Sequence, residues 1–136
     1  MNTDQLRELI PLAGTLGIRS VAAAPDAVVL ELDHQPQLCT AAGVLHGGAL
    51  MTLADTAGAL CAFLNLPDGA SGTTTIESKT NLLSAVRDGT VTARSTALKA
   101  GRTVIVVETE LRAGGDRLVA KTTQTQAVLR VSRPAA

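Results

Sequence analysis

The chain has 136 residues, and its 12 Lys and Arg balance its 12 Asp and Glu, so the formal net charge at pH 7 is zero. Hydrophobic residues make up 46% of the sequence, but aromatic residues only 1%, with one Phe and no Trp or Tyr. This length predicts a single domain, 1–136, large enough to fold around a core without a structural metal. Zero net charge argues against a duplex-binding surface, and the missing aromatic rings argue against stacking of single-stranded nucleic acid.

Two further features concern the cellular location. The sequence has no uninterrupted apolar run of about 20 residues, and its first ten residues lack the basic-then-apolar order of a signal peptide. The two cysteines, Cys39 and Cys61, have neither metal-site nor redox-motif spacing and are interpreted as free thiols. We therefore expect a cytoplasmic protein that does not associate with membranes.

The N-terminal third predicts a helical segment and two strands. Residues 1–16 form the helical segment, which Pro11 ends or kinks. Short strands follow at 18–24 and 27–33, separated by the turn at Pro25.

Residues 46–64 predict a central helix. Apolar residues fall on nearly every face of this segment, which is typical of a fully buried helix. Two glycines, Gly47 and Gly48, stand at its start, and Pro67 follows its end.

The remainder, 73–130, predicts a meander of four strands. The runs 73–83, 90–100, 103–112 and 117–130 are separated by short glycine-containing turns. The run 103–112 alternates apolar and charged residues, which indicates an antiparallel sheet with one wet face. One apolar helix with enough strand to wrap it predicts an α+β fold.

Asp55 lies in the middle of the apolar helix. An ionised carboxylate buried without partners costs several kcal/mol, and no basic residue stands at helical spacing from it. Asp55 is therefore a candidate functional group. The alternatives are an Asp on an exposed edge of the helix, or one bonded to a neighbouring strand.

The start of the helix is the second candidate. The N–H groups of a first helical turn have no intrahelical partners, and glycines let another group approach the backbone closely. Such a position can stabilise a carbonyl oxygen that gains negative charge. The alternative is a plain glycine-rich helix entry in which His46 is only a capping residue.

The spacing of the two candidates predicts a dimer. Asp55 follows His46 by nine residues, about 13 Å along the helix axis and half a turn around it. One chain cannot bring both groups to a single reacting atom, so a shared site requires two antiparallel copies of the helix.

His46-Gly47-Gly48-Ala49-Leu50, followed by Ala54-Asp55-Thr56-Ala57, resembles the hotdog-fold acyl-CoA thioesterases, in the branch often called PaaI-like. The resemblance covers residues 14–130. It implies a curved antiparallel sheet around a long central helix, with strand 73–83 paired to its copy in a second subunit. Two such dimers usually form a tetramer.

The same resemblance implies a catalytic arrangement. Asp55 would be the nucleophile or the general base for water, and the Gly47 amide of the partner chain would polarise the thioester carbonyl, with His46 in the same motif. The reaction would need no metal or redox cofactor. Coenzyme A would be part of the substrate. The implied substrate-binding positions are Thr40, Gly48, Thr73, Asn81, Arg102 and Thr103.

Two positions depart from relatives. Thr40 stands where they often carry an amide side chain, and Ala59 stands where some carry a hydroxyl one turn after the acid. Other members place a helper hydroxyl on the next strand, which matches Thr74; plain β-propensity is the alternative for that threonine.

Cations near the site would bind the phosphates of coenzyme A. Arg102 matches a region that contacts the nucleotide in relatives, and Lys99, Arg130 and Arg133 are further candidates. For each of these cations, an ordinary solvated surface charge is the alternative. His34 lies in a loop without a second ligand at metal-site spacing.

Two other functions stay open: an acyl-thioester dehydratase or hydratase on the same fold, and a non-catalytic binding module. The first would need a catalytic His, whereas His46 beside two glycines has a structural setting. The scarcity of aromatic residues predicts an acyl pocket with aliphatic walls.

Overall fold

A six-stranded antiparallel sheet curls around one long helix in the computed structural model, which describes residues 1–131. The α+β architecture expected from the sequence is confirmed. The helices are α1 (Thr3–Leu9), α2 (Pro11–Leu16) and α3 (Gly47–Leu64). The strands are β1 (Arg19–Ala23), β2 (Val28–Asp33), β3 (Gly72–Leu82), β4 (Thr90–Ala100), β5 (Val104–Ala113) and β6 (Arg117–Leu129).

The N-terminal segment consists of two helices because Pro11 occupies the first position of α2, where its missing N–H costs nothing. Asn2 caps α1, and its side chain forms a reciprocal capping box with Gln5.

The strand order is β1-β2-β4-β5-β6-β3, so the predicted four-strand meander is wrong in one connection. Strands β4, β5 and β6 do form a meander, but β3 pairs with β6 and not with β4. The segment after β3 crosses the end of the sheet. The Leu83 N–H donates to the Val119 carbonyl, and the buried Val86 accepts from the Leu45 N–H. Strand β3 lies at an edge of the sheet.

The core lies between α3 and the concave face of the sheet. Ten residues of α3 are buried there, which accounts for a hydropathy high enough for a membrane span by length and composition alone. Strands β2, β4 and β5 contribute mainly aliphatic side chains: Val28, Leu30, Leu32, Val91, Ala93, Ile105, Val107 and Leu111.

Helix α3 is not buried on every face, in contrast to the prediction. Met51 and Phe63 are 44% and 48% exposed, and Asp55 lies exposed between them. These positions repeat every four residues, so they form one stripe along the helix. The sheet covers only the opposite side, and the apolar composition alone could not reveal this open stripe.

Candidate functional site

The first turn of α3 is capped by its own histidine. His46 precedes the helix, and its Nδ1 accepts a hydrogen bond of 2.7 Å from the Gly48 N–H. The Ala49 and Leu50 amides donate to the His46 carbonyl. The Gly47 N–H has no acceptor among residues 1–131. One of the two glycine amides is therefore open to a ligand, and the other, Gly48, is occupied.

A cavity of about 340 Å³ adjoins this amide. Its walls include Thr40 and Gly47, so the structure brings these two predicted residues together. The rest of the wall is mainly aliphatic, from Val44, Leu45, Leu50, Leu82, Leu83 and Ala85. Leu82 contacts Gly47 so closely that a Cβ on this glycine would lie 2.5 Å from the Leu82 Cδ1.

Asp55 is exposed in the single chain, and the expectation of a buried carboxylate is wrong. Its Oδ1 accepts from Gln124 Nε2 at 3.2 Å and from Thr75 Oγ1 at 3.4 Å. Both structural alternatives for this residue are therefore correct, because Asp55 lies on an open edge of the helix and is bonded to neighbouring strands. Its Oδ2 accepts no hydrogen bond within the described part of the chain.

The bonded strand residues were missed by sequence reasoning. Gln124 and Gln126 are buried on the concave face of β6, and Gln126 Nε2 donates to Thr75 Oγ1 at 2.6 Å. The segment 121–126 is polar on both faces, so alternation of hydropathy could not show which side chains point inward. Six consecutive polar residues, 121–126, within the predicted strand 117–130 were the available signal.

The predicted strand residues divide between the two faces of β3. Thr75, which pairs with Gln126, points to the concave face, and Thr73 shares that face. Thr74 pairs with Ala127 on the opposite face, so Thr75 and not Thr74 contacts Asp55. Asn81 also lies on the convex face, opposite Lys121.

The predicted cations cluster in part. Arg102, Thr103 and Arg130 line a cavity of about 490 Å³, and the Arg102 carbonyl accepts from Arg130. Lys99 is exposed near the same turn, and Arg133 lies outside the described residues.

The two cysteines differ. Cys61 is buried in α3, and burial raises the pKa of its thiol. Cys39 is half-buried, and its Sγ lies 3.2 Å from His34 Nε2, which also contacts the Gly43 carbonyl. His34 therefore has a partner that spacing did not indicate.

Comparisons with known proteins show the family to which the chain belongs. The sequence profile of the thioesterase superfamily matches residues 42–120. A protein of Saccharolobus solfataricus with the name "Putative esterase" is 33% identical over 115 residues, which are 85% of this chain and 81% of that protein. A thioesterase from Haemophilus influenzae superposes with a TM-score of 0.88 at 28% identity, covering 100% of this chain and 96% of that one.

A mutant thioesterase from Pseudomonas aeruginosa superposes with a TM-score of 0.87 at 26% identity, over 96% of each chain. The profile match extends over more than half of the sequence and includes both the Gly47 amide and Asp55. The chain belongs to the thioesterase superfamily.

Proposed function

We propose that the protein hydrolyses an acyl-CoA thioester to a free acid and coenzyme A. Membership in the thioesterase superfamily supports thioester hydrolysis in general, and coenzyme A as the carrier is our proposal. The observation that supports this proposal is the hydrogen bonding of the Asp55 carboxylate. Its Oδ1 accepts from Gln124 and Thr75, whereas its Oδ2 has no hydrogen-bond partner among the described residues.

The chemistry needs two groups. Attack on a thioester requires a nucleophile or an activated water, which the open oxygen of Asp55 supplies. The carbonyl oxygen gains negative charge in the transition state, and the unpaired Gly47 N–H is a preorganised donor for it. Water is the second substrate, and no cofactor takes part.

The two groups meet only if two chains pair. Asp55 lies beside Thr75, whereas Gly47 lies beside Leu82, near the other end of β3. Antiparallel pairing of β3 with its copy brings Thr75 of one chain opposite Leu82 of the other when the two-fold axis passes through residue 79, because the bulge after Thr75 takes up one residue. The exposed edge of β3 and the stripe of α3 supply the surface, and two dimers form a tetramer.

The cavity of Arg102 and Arg130 would hold the phosphates. Thr75 pairs with Gln126 on β6, and Gln126 pairs with Ile105 on β5. Thr103 lies two residues before Ile105, so the distance from Thr75 to Thr103 is about 12 Å across two strands. A thioester on a long flexible arm that ends in phosphates fits such a separation. The aliphatic cavity beside Gly47 supports an acyl group without ring-stacked recognition.

No observation favours the hydratase or the binding module over hydrolysis. The Nδ1 of His46 is engaged in capping α3, and a binding module would not need an oriented carboxylate with an open oxygen.

Thiol release from short, medium and aryl acyl-CoAs tests the proposal, with Asp55→Asn as the isosteric variant. We expect kcat to fall by about 10²–10⁴-fold in Asp55→Asn, because the substituted amide is neither a base nor a nucleophile. Absence of thiol release from every substrate contradicts hydrolysis. Wild-type rates in Asp55→Asn contradict the assignment of the carboxylate.

The Gly47 amide can be tested by a matched pair. Gly47→Pro deletes the N–H at the first helical position, where Pro is well tolerated, and the extended backbone of His46 suits a following Pro. Gly47→Ala adds a similar Cβ against Leu82 but keeps the N–H. We expect kcat to fall by about 10²–10³-fold in Gly47→Pro, with most activity retained in Gly47→Ala. Equal losses in both variants would show that crowding and not the donor is responsible.

Disulfide crosslinking tests the pairing of β3. In a Cys39→Ser background, Lys79→Cys places a thiol at the proposed two-fold axis, directly opposite its own copy, so we expect a disulfide-linked dimer on a non-reducing gel. Asp68→Cys, in an exposed loop, is the control that stays monomeric. A solution dimer that does not crosslink through residue 79 contradicts this pairing.

A further inference from the structure

The inner face of β6 carries a row of buried polar side chains. Thr122, Gln124 and Gln126 are 1%, 0% and 1% exposed, and each contacts a group on β3 or α3. A buried amide without hydrogen bonds costs about 1–3 kcal/mol, whereas an aliphatic residue there would bury apolar surface without this cost. Stability alone does not account for two glutamines at these positions.

Gln124 is the less satisfied of the two. Its Nε2 donates to Asp55 Oδ1, but its Oε1 is buried and has no hydrogen-bond partner within the described part of the chain. The amide has this orientation because a carboxylate accepts hydrogen bonds and repels a carbonyl oxygen. The contact with Asp55 is thus retained although one polar atom stays unpaired.

Helix α3 provides the space for this side chain. Gly58 lies one turn after Asp55, and a Cβ on it would lie 2.0 Å from Gln124 Oε1 and 2.5 Å from Gln124 Cδ. A glycine inside a helix costs about 1 kcal/mol relative to alanine. The helix glycine and the unpaired amide oxygen each lower the stability of the fold. Gln124 reaches Asp55 only when both are present.

A second support reaches the same oxygen. Gln126 donates to Thr75, and Thr75 donates to Asp55 Oδ1. Both supports converge on Oδ1 and leave Oδ2 open, so the carboxylate has a defined orientation toward solvent.

We propose that Gln124 is a positioning residue: its buried amide, accommodated by Gly58, holds Oδ1 of Asp55 so that Oδ2 faces the reacting centre. This inference rests on the proposed function, since it concerns the carboxylate assigned to catalysis. Gln124 does not touch the substrate and acts through Asp55.

Gln124→Met tests the inference, because it keeps the length of the side chain and removes the donor. We expect kcat to fall by about 10–100-fold with KM within twofold, since a misplaced catalytic group loses rate and not binding. The midpoint of thermal unfolding should not fall, because the variant also removes a buried unpaired oxygen. Lower stability with unchanged kcat would show a purely structural role and overturn the inference.

Thr109→Val is the matched control. Thr109 is also buried on the inner face, but it bonds to Ser95 at 2.6 Å on strands away from Asp55. We expect its kcat to equal that of the wild type. A loss in Thr109→Val as large as that in Gln124→Met would mean that any buried polar change slows the enzyme, which also overturns the inference.

The Asp55→Asn variant separates the two claims. Full activity in Asp55→Asn removes the proposed function of the carboxylate itself, whatever Gln124→Met does. Loss of activity in Asp55→Asn together with wild-type kcat in Gln124→Met overturns only the positioning role.

Discussion

The concave face of the sheet has two halves with opposite chemistry. On β2, β4 and β5 the inward side chains are mainly aliphatic, and the one buried polar pair, Ser95 with Thr109, is closed on itself. On β6 and β3 the inward side chains are mainly polar, and their hydrogen bonds lead to Asp55.

This difference separates stability from function within one layer. The aliphatic half buries apolar area and supplies most of the free energy of folding. The polar half contributes less to folding and fixes a carboxylate beside the edge strand, where a second chain completes the site in the proposed dimer.

A cavity in the aliphatic half should reduce stability without affecting the reaction. Ile105→Ala removes a fully buried side chain, so we expect a loss of about 2–5 kcal/mol in the free energy of unfolding. Urea unfolding measures this loss, and kcat per folded protein should stay at the wild-type value. A large fall in kcat at low temperature, where the variant is folded, would contradict the separation.

A methyl group in the polar half should do the reverse. Gly58→Ala replaces a helix glycine with a better helix former, but its Cβ displaces the Gln124 amide from Asp55. We expect kcat to fall by about 10–100-fold, with KM nearly unchanged.

Steady-state kinetics of Gly58→Ala alongside Gln124→Met checks this prediction. If the methyl group acts only by displacing the amide, adding Gly58→Ala to Gln124→Met should lower kcat little further. Wild-type kcat in Gly58→Ala would show that the amide contact is dispensable.

A charge pair on the convex face should have the smallest effect. Arg19 bonds to Asp33 at 2.5 Å, and this bond, with a second one from Thr90, holds the pKa of Asp33 below its ordinary value. A carboxyl whose pKa is lower in the folded state stabilises the fold above its unfolded pKa of 3.8, and this contribution is lost as the pH falls through the folded value.

The pair is about half exposed, so we expect Arg19→Met to lose only about 0.5 kcal/mol at pH 7. The loss should shrink as the pH falls through the lowered pKa of Asp33, because protonation removes the charge that Arg19 pairs with. Urea unfolding over a series of pH values from 7 downward measures it, and a loss that does not change with pH would contradict the assignment to this pair.

Part of the fold and of the site could be predicted from local patterns. Strand alternation, glycine turns and Pro11 determine the elements to within two residues, because these signals act over short distances. The position of β3 could not be predicted in this way, since it depends on pairing with β6, which is distant in sequence.

The site shows the same limit. Asp55 and the Gly47 amide follow from single-residue chemistry, and the capping role of His46 was one of the two alternatives. Gln124 could not be identified, because its partner Asp55 is 69 residues away and a polar strand does not reveal which face it buries. The exposed stripe of α3 was missed because apolar composition does not tell which face of a helix contacts the core and which face is exposed.

Complementation between two inactive variants tests the central claim, a site built from Asp55 of one chain and the Gly47 amide of another. Asp55→Asn and Gly47→Pro chains carrying different tags are co-expressed, and the mixed dimer is purified through both tags. One of its two sites then has an intact Asp55 and an intact Gly47, so we predict about half of the wild-type activity per dimer. A mixed dimer as inactive as its parents would contradict the shared site.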